Sequence, residues 1–355
     1  MNTTNNKQPV VLVTGSSGML GQNACAALAA QGYLVFGLDV EEPADASDTP
    51  PSIEHIPCDL TDDASVQTAL SQVRERVGVQ IASVVHMAAY YDFSGEDSPL
   101  YQKITVEGTD RLLNALEGFQ LEQFVFTSTM LVHAPCEVGE RITEDDPLLA
   151  KWPYPQSKID TERVIFEQHP QAPSVALRIA GVYTEEGVQP TLVQQIKRIY
   201  EKDFQSHFFP GDTAAGQTVV HLEDTIDAIV RCVDRRKSIP PHTAILVGEP
   251  NPPSYGQLQE AIGKLIHGKA WSTLYVPPLV AKAGAAVTDA LSGGEAFIKP
   301  FMVDMADDHY ALDISRAKSL LGWEPQHRLL EELPAMVNAL QEDPDQWYRQ
   351  NQLDR

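Results

Sequence analysis

At 355 residues the chain has room for one large α/β domain with a smaller lobe, or for two domains. Its 49 acidic and 26 basic side chains give a net charge of −23, which excludes nucleic acid or an anionic membrane as a partner held by bulk charge and leaves only a local basic pocket open. Cys25, Cys58, Cys136 and Cys232 are far apart and form no CxxC pair, so they read as reduced thiols rather than a disulfide or metal framework.

The first residues, MNTTNNKQP, are polar, with neither the apolar core of a secretory leader nor the bias of a transit peptide, so a cytoplasmic protein is expected. No apolar run is long enough to span a bilayer. The first element is an apolar strand, Val10 to Val13, with the composition of a parallel strand covered on both faces. Gly15, Gly18 and Gly21 follow at spacings of three, and a helix from Met19 to Gln31 begins within them. Strand, glycine turn and helix together form a dinucleotide-binding signature. The first glycine makes the turn, the second admits a pyrophosphate, and the third lets the helix pack on the sheet. A second strand, Tyr33 to Asp39, ends in an acid whose carboxylate suits the adenosine ribose hydroxyls. That acid would repel a 2′-phosphate, so NAD is expected over NADP.

The loop 41–52 leads to a short strand, Ile53 to Ile56, and to Asp59-Leu60. Asp59 is placed to accept from the adenine amine, or to cap the next helix, and Leu60 to pack on the ring. A fourth strand, Ser83 to His86, runs into Met87-Ala88-Ala89, small enough for a cofactor to cross the sheet edge. A helix over Pro99 to Phe119 contains Gly108, which marks close packing. The fifth strand, Gln123 to Thr127, delivers Ser128 and Thr129. A long loop then reaches Pro153, a length that marks function or disorder.

Tyr154 and Lys158 open the next helix at i and i+4, on one face. A phenol with a pKa near 10 is a poor base at neutral pH, and a lysine cation one turn away favours the phenolate. Thr129 is placed to hold the same substrate oxygen, with Ser128 beside it as a second hydroxyl. A tyrosine so activated is a general acid–base for a carbinol/ketone pair, with hydride exchanged with the nicotinamide. The sixth strand, Ser174 to Arg178, brings Ile179 and Gly181. Beyond Tyr183 the strand–helix alternation loosens, with a helix over Pro190 to Glu201, a strand near Thr218 to Val220, a helix from His221 to Arg236 and a strand from Thr243 to Val247. His221 and Asp224 read as a link between sheet and lobe, Trp271, Trp323 and Trp347 as packing residues, Lys299 to Met302 as a possible pocket lining, and Asp343 to Arg355 as a solvated end helix.

Taken in order, TGSSGMLG at 14–21, Asp39, Cys58-Asp59-Leu60, His86-Met87-Ala88-Ala89, Val106-Glu107-Gly108-Thr109, Thr127-Ser128-Thr129, Tyr154 to Lys158, Arg178, His221-Leu222-Glu223-Asp224 and the Leu321-Gly322-Trp323-Glu324-Pro325 tail resemble the extended short-chain dehydrogenase/reductases, the NAD-dependent epimerase/dehydratase family. The resemblance implies a Rossmann-type doubly wound parallel sheet with a smaller C-terminal substrate-binding lobe. It places the sheet domain at 7–183 plus 217–250, the lobe at 184–216 plus 251–342, and a tail at 343–355. It implies bound NAD and a small-molecule substrate, and a homodimer paired through the helices after strands four and five. Cofactor contacts are expected at Gly15, Ser17, Gly18, Met19, Leu20, Gly21, Asp39, Asp59, Leu60, Met87, Ala88, Ala89, Thr127, Tyr154, Lys158 and Ile179. Substrate contacts are expected at Thr129, Arg178 and Gly181, with a structural ion pair equally open for Arg178, and no metal is expected.

The family's sugar-nucleotide members carry an Asn soon after the strand-six Arg and a Tyr-Gly after the catalytic Thr. Here Ile179-Ala180-Gly181 and His133-Ala134 stand instead, which leaves open the branch resembling 3β-hydroxysteroid dehydrogenases and other carbonyl reductases. Met130-Leu131 replaces the acid pair of the dehydratases, which disfavours dehydration.

Overall fold

The computed structural model describes residues 8–41, 50–92, 94–291 and 300–353. Seven parallel strands form one sheet: β1 Val10–Thr14, β2 Leu34–Asp39, β3 Ile53–Pro57, β4 Ser83–His86, β5 Phe124–Thr129, β6 Ser174–Ile179 and β7 Thr243–Val247. Their order is β7-β6-β5-β4-β1-β2-β3, so the winding reverses between β1 and β4. Open α/β sheets bind ligands at that reversal, beyond the strand C-termini.

The strands are apolar throughout because helices cover both faces. Val11 and Val13 face a layer containing α1 (Met19–Ala30) and α6 (Leu222–Asp234), where Leu28, Ile229 and Val233 are fully buried. Val10 and Leu12 point the other way, into a cluster with Phe36, Phe124 and Phe126 under α2 (Asp63–Val77) and α3 (Glu107–Ala115). The period-two alternation of a strand thus feeds two cores.

A third cluster lies outside the sheet. It joins Leu192, Ile196 and Ile199 of α5 (Pro190–Tyr200) and Ile262 of α7 (Tyr255–His267) to Leu333 and Met336 of the helix Leu329–Glu342. Trp347 and Tyr348 enter the same cluster at 1% and 3% exposure. The final helix, Pro344–Gln350, is therefore not the solvated end expected from its charges. Asn351 fixes it further, accepting from the Val188 N–H at 2.7 Å and donating to the Glu186 carbonyl at 2.8 Å. Trp271, Trp323 and Trp347 are all packing residues, as expected.

The strand expected near Thr218 is Val219–His221. It pairs in parallel with Gly181–Tyr183 as a separate ladder. Asp224 links lobe and sheet by accepting the N–H groups of Gln326 and His327, both at 2.9 Å. The long loop after β5 is ordered, tied to residues 309–313 through Cys136 and Ile142. The 42–49 part of the loop after β2, and Lys299, lie outside the described residues.

Candidate active site

Thr14 ends β1 and the chain turns at Gly15, whose φ of +69° is one that glycine adopts without strain. A methyl group on Gly15 would meet the Ala88 nitrogen at 2.8 Å, and one on Gly21 would meet the Gly15 carbonyl at 2.0 Å. Those two glycines serve the protein's own packing. Gly18 differs, since a methyl there meets nothing nearer than 3.5 Å. It begins α1 without a side-chain cap, and the first turn, with Met19, Leu20 and Gly21, holds no acid. The helix therefore presents free N–H groups and its positive end at an open, exposed glycine, the surroundings that a pyrophosphate fits.

Asp39 closes the turn, accepting from the N–H of Ser17 at 2.9 Å and of Val40 at 2.8 Å. Each oxygen keeps a second lone pair. Asp59 accepts the Thr61 N–H at 2.8 Å, which holds its carboxyl below the usual range. It does not cap α2; Asp62 does, through the Ser65 N–H. Leu60 is buried beneath α3, where Gly108 approaches its Cβ closely, and its carbonyl accepts from Arg111. The Met87 and Ala88 N–H groups rest on the Thr14 hydroxyl, so Met87-Ala88-Ala89 forms the wall beside the glycine turn. Behind that wall His86 is fully buried between the hydroxyls of Thr14 and Thr109, at 2.7 and 2.8 Å. Burial pushes its pKa down to about 3, so the ring is neutral.

The end of β5 meets α4 (Pro153–Arg163) at the centre of the sheet edge. Pro153 suits the first helical position, where no N–H is required. Lys158 is 3% exposed. Its ammonium donates to the Thr127 carbonyl at 2.9 Å and lies 4.7 Å above the Phe126 ring and 5.8 Å from the Tyr154 ring. Burial lowers its pKa to about 7, with Glu162 pulling it back up. Burial raises the Tyr154 phenol above its ordinary range, Tyr91 adds to the rise, and a hydrogen bond with Thr129 opposes it. The expected trio thus does converge. Its electrostatics differ from the simple expectation, because desolvation is the largest effect on both groups.

Two predicted residues turn elsewhere. The Ser128 hydroxyl donates to Glu162 at 2.5 Å and is buried, so it is not a second substrate hydroxyl. Arg178 is also buried. It makes a two-point pair with Glu162, at 3.1 and 2.7 Å, and meets His133 and the Glu144 carbonyl, both at 2.9 Å. Four of its five N–H donors are so occupied, and at 5% exposure the side chain is turned into the protein rather than toward a substrate phosphate. Ile179 ends β6 beside Thr129 in register. Gly181 begins the small ladder, under the Gln189 side chain.

Residues 11–248 match the model of the NAD dependent epimerase/dehydratase family. The chain belongs to that family. Among curated relatives it is 27% identical to a UDP-glucose 4-epimerase of Bacillus subtilis over 51% of this chain and 54% of that one. The chain thus spans about half the length of that relative. It is 25% identical to a decarboxylating sterol-4-alpha-carboxylate 3-dehydrogenase of Candida albicans, over 94% and 98% of the two chains. The crystal structure of a UDP-glucuronic acid 4-epimerase from Bacillus cereus, in complex with UDP-glucuronic acid and NAD, superposes with a TM-score of 0.70 at 21% identity. That superposition covers 94% of this chain and 99% of that one and is a likeness of fold.

In this epimerase/dehydratase-family protein, sequence reasoning missed Tyr91 and Trp152 around the tyrosine and, of the rings there, named only Phe301 as pocket lining. Tyr91 stands edge-on to Tyr154 at 4.8 Å, and Trp152 lies 5.4 Å from it. Phe301 continues the wall, 6.3 Å from Trp152 and against Gly95. Tyr90 and Tyr101 pack edge-to-face behind Tyr91. The paired tyrosines after Ala89 were the available signal. Among the described residues, His221, Glu223 and His327 bring metal-ligand atoms within 4.8 Å of one another. The Nδ1 of His221 accepts the Glu223 N–H, so Nε2 carries that ring's hydrogen and has no lone pair for a cation.

Proposed function

We propose that this protein oxidises a substrate carbinol with NAD+, or reduces the matching ketone with NADH. The observation that carries this reading is the convergence of Thr129, Tyr154 and Lys158 at the sheet edge beside the glycine turn. The exposed N-terminus of α1 at Gly18 and the free lone pairs of Asp39 fit a dinucleotide, with Asp59, Met87, Ala88 and Ala89 along its path. When bound, NAD supplies the hydride acceptor. Tyr154 moves a proton to or from the substrate oxygen, and Thr129 holds that oxygen in place. Lys158, charged, favours the phenolate form of Tyr154 and keeps the strand end fixed through Thr127.

The kinship with UDP-sugar epimerases supports a nucleotide-sugar substrate, with the ketone re-reduced in place. The rings around Tyr154 and the engaged Arg178 favour the second reading, a carbinol on an apolar ring, in line with the sterol dehydrogenase among the relatives. A cytoplasmic homodimer, paired through α3 and α4, goes with either.

Mass spectrometry of ligands released from purified protein, beside fluorescence titration with UDP-sugars, separates the two. Retained NAD with saturable UDP-sugar binding makes it an epimerase. No retained NAD and no UDP-sugar binding, with turnover on hydroxysteroid or aryl carbinols, makes it a dehydrogenase. Turnover that persists in Tyr154→Phe overturns the proposed chemistry.

A further inference from the structure

Although the chain is acidic, no carboxylate side chain occurs between Glu260 and Asp289, a segment that holds Lys264, His267, Lys269 and Lys282. Lys264 pairs with Glu260 and Lys282 with Asp304, so the basic character of this face rests on Lys269 and, from the end of α5, Lys202. Much of this segment lies on the surface. Leu274–Tyr275 is a short strand paired with Phe208–Phe209, and its two side chains are 57% and 67% exposed. The helix Pro278–Leu291 follows at once, with Leu279 and Val280 at 81% and 60% exposure. Phe204, 73% exposed, packs edge-to-face on Phe208 at 4.9 Å. Single exposed apolar residues need no explanation, but here four fall within seven residues, at 274, 275, 279 and 280, and Phe204 packs on the strand paired with the first two.

Beside this set lies a cavity of about 480 Å³ lined by Lys202, His207, His267, Lys269 and Trp271. The acids flanking Lys202 are engaged elsewhere. Glu201 takes the Lys197 ammonium at 3.0 Å and the Tyr348 hydroxyl at 2.7 Å, and Asp203 accepts the Gln205 N–H at 2.9 Å. Lys202 itself has a φ of +56°, at the end of α5, where glycine is the unstrained choice. The position keeps a cation against a backbone cost.

We propose that this face seats the protein on an anionic bilayer surface. Phe204, Tyr275, Leu279 and Val280 enter the headgroup boundary, and Lys202 and Lys269 meet lipid phosphates. The net charge of −23 does not forbid this, since physiological salt screens exposed charges beyond about 8 Å. A symmetric contact between two copies is disfavoured, because a two-fold axis through the patch would set its cations against their own counterparts. The helix Pro278–Leu291 packs on Pro300–Asp304, which carries Phe301, so the face continues toward Tyr154. The proposal does not depend on the reaction assigned above.

Flotation of the full chain with vesicles of phosphatidylcholine and phosphatidylglycerol tests it. The wild type and Tyr154→Phe are expected to float. Leu279→Asp combined with Val280→Asp is expected to lose flotation while keeping the wild-type unfolding midpoint, since both side chains are exposed. Lys202→Gln with Lys269→Gln is expected to raise the half-saturating lipid concentration roughly 30-fold, the effect of two basic residues at an anionic surface. A wild type that stays with the unbound fraction overturns the proposal, as does a Leu279→Asp/Val280→Asp variant that floats equally. Light scattering that finds a dimer dissociated by that double substitution would make the face a contact between copies and also overturn it.

Discussion

Lys158 and Arg178 are neighbouring cations buried to the same depth, and they are treated in opposite ways. Arg178 has a carboxylate on two points, an imidazole and a carbonyl. Lys158 has a single carbonyl and two aromatic faces, and its charge is so poorly supported that burial brings its pKa to about 7. A buried ion costs several kcal/mol unless it is fully paired. Satisfaction marks the cation that holds the fold; its lack marks the one to which the proposed chemistry assigns a role.

The sharpest way to break the contrast is by substitution. Tyr154→Phe is expected to lower kcat/KM by about 10²–10⁴-fold with NAD affinity and unfolding midpoint unchanged, as steady-state kinetics and cofactor titration would show. Arg178→Met strands Glu162 in the core. It is expected to cost about 3–5 kcal/mol in denaturant unfolding, while the fraction still folded keeps its turnover.

Lys158→Met should reverse that pattern, losing activity and gaining stability. The sign follows from linkage. The lysine's pKa is 10.5 unfolded and about 7 folded, so between those values the unfolded chain binds the extra proton. Wild-type stability from this group therefore rises with pH above about 7, and below it the buried charge is a burden of several kcal/mol. Urea midpoints at pH 6 and pH 9 should show that rise in the wild type and its loss in Lys158→Met.

The smallest effect sets the two acids before α2 apart. Asp62→Ala removes a helix cap and is expected to cost about 1 kcal/mol without altering NAD affinity. Asp59→Asn should weaken NAD a few-fold at nearly constant stability, as calorimetric titration beside thermal unfolding would detect.

The sheet, its switch point and the Tyr154–Lys158 pair were legible because each rests on local patterning: continuous apolar strands, glycines at a strand end, and i,i+4 spacing on one helix. For Arg178 the sequence left a substrate phosphate and a structural ion pair equally open, since its partner Glu162 comes from α4 and only the tertiary fold brings them together. Yet Glu162 lies one turn beyond Lys158 on the same inward face, a signal that could have been read. Of the rings around Tyr154, Phe301 reads as pocket lining, whereas Tyr91 and Trp152 come from loops without periodicity, and no pattern joins them to it. The final helix misled because its charges outweighed Trp347, although that residue reads as a packing residue, and hid the second anchor, Tyr348.

That helix also sets an order of events. Trp347 fills the lobe's core, and Asn351 clasps the backbone at 186–188, residues made more than 160 positions earlier. On the ribosome, where chains grow at about 5–20 residues per second, the sheet has all its strands once residue 247 is made. The lobe must wait roughly another hundred residues for its last piece, about 5–20 seconds at those rates. Throughout that interval the nascent protein has all seven strands but lacks residues 310–323, which complete one core layer of the sheet, as well as the last piece of the lobe.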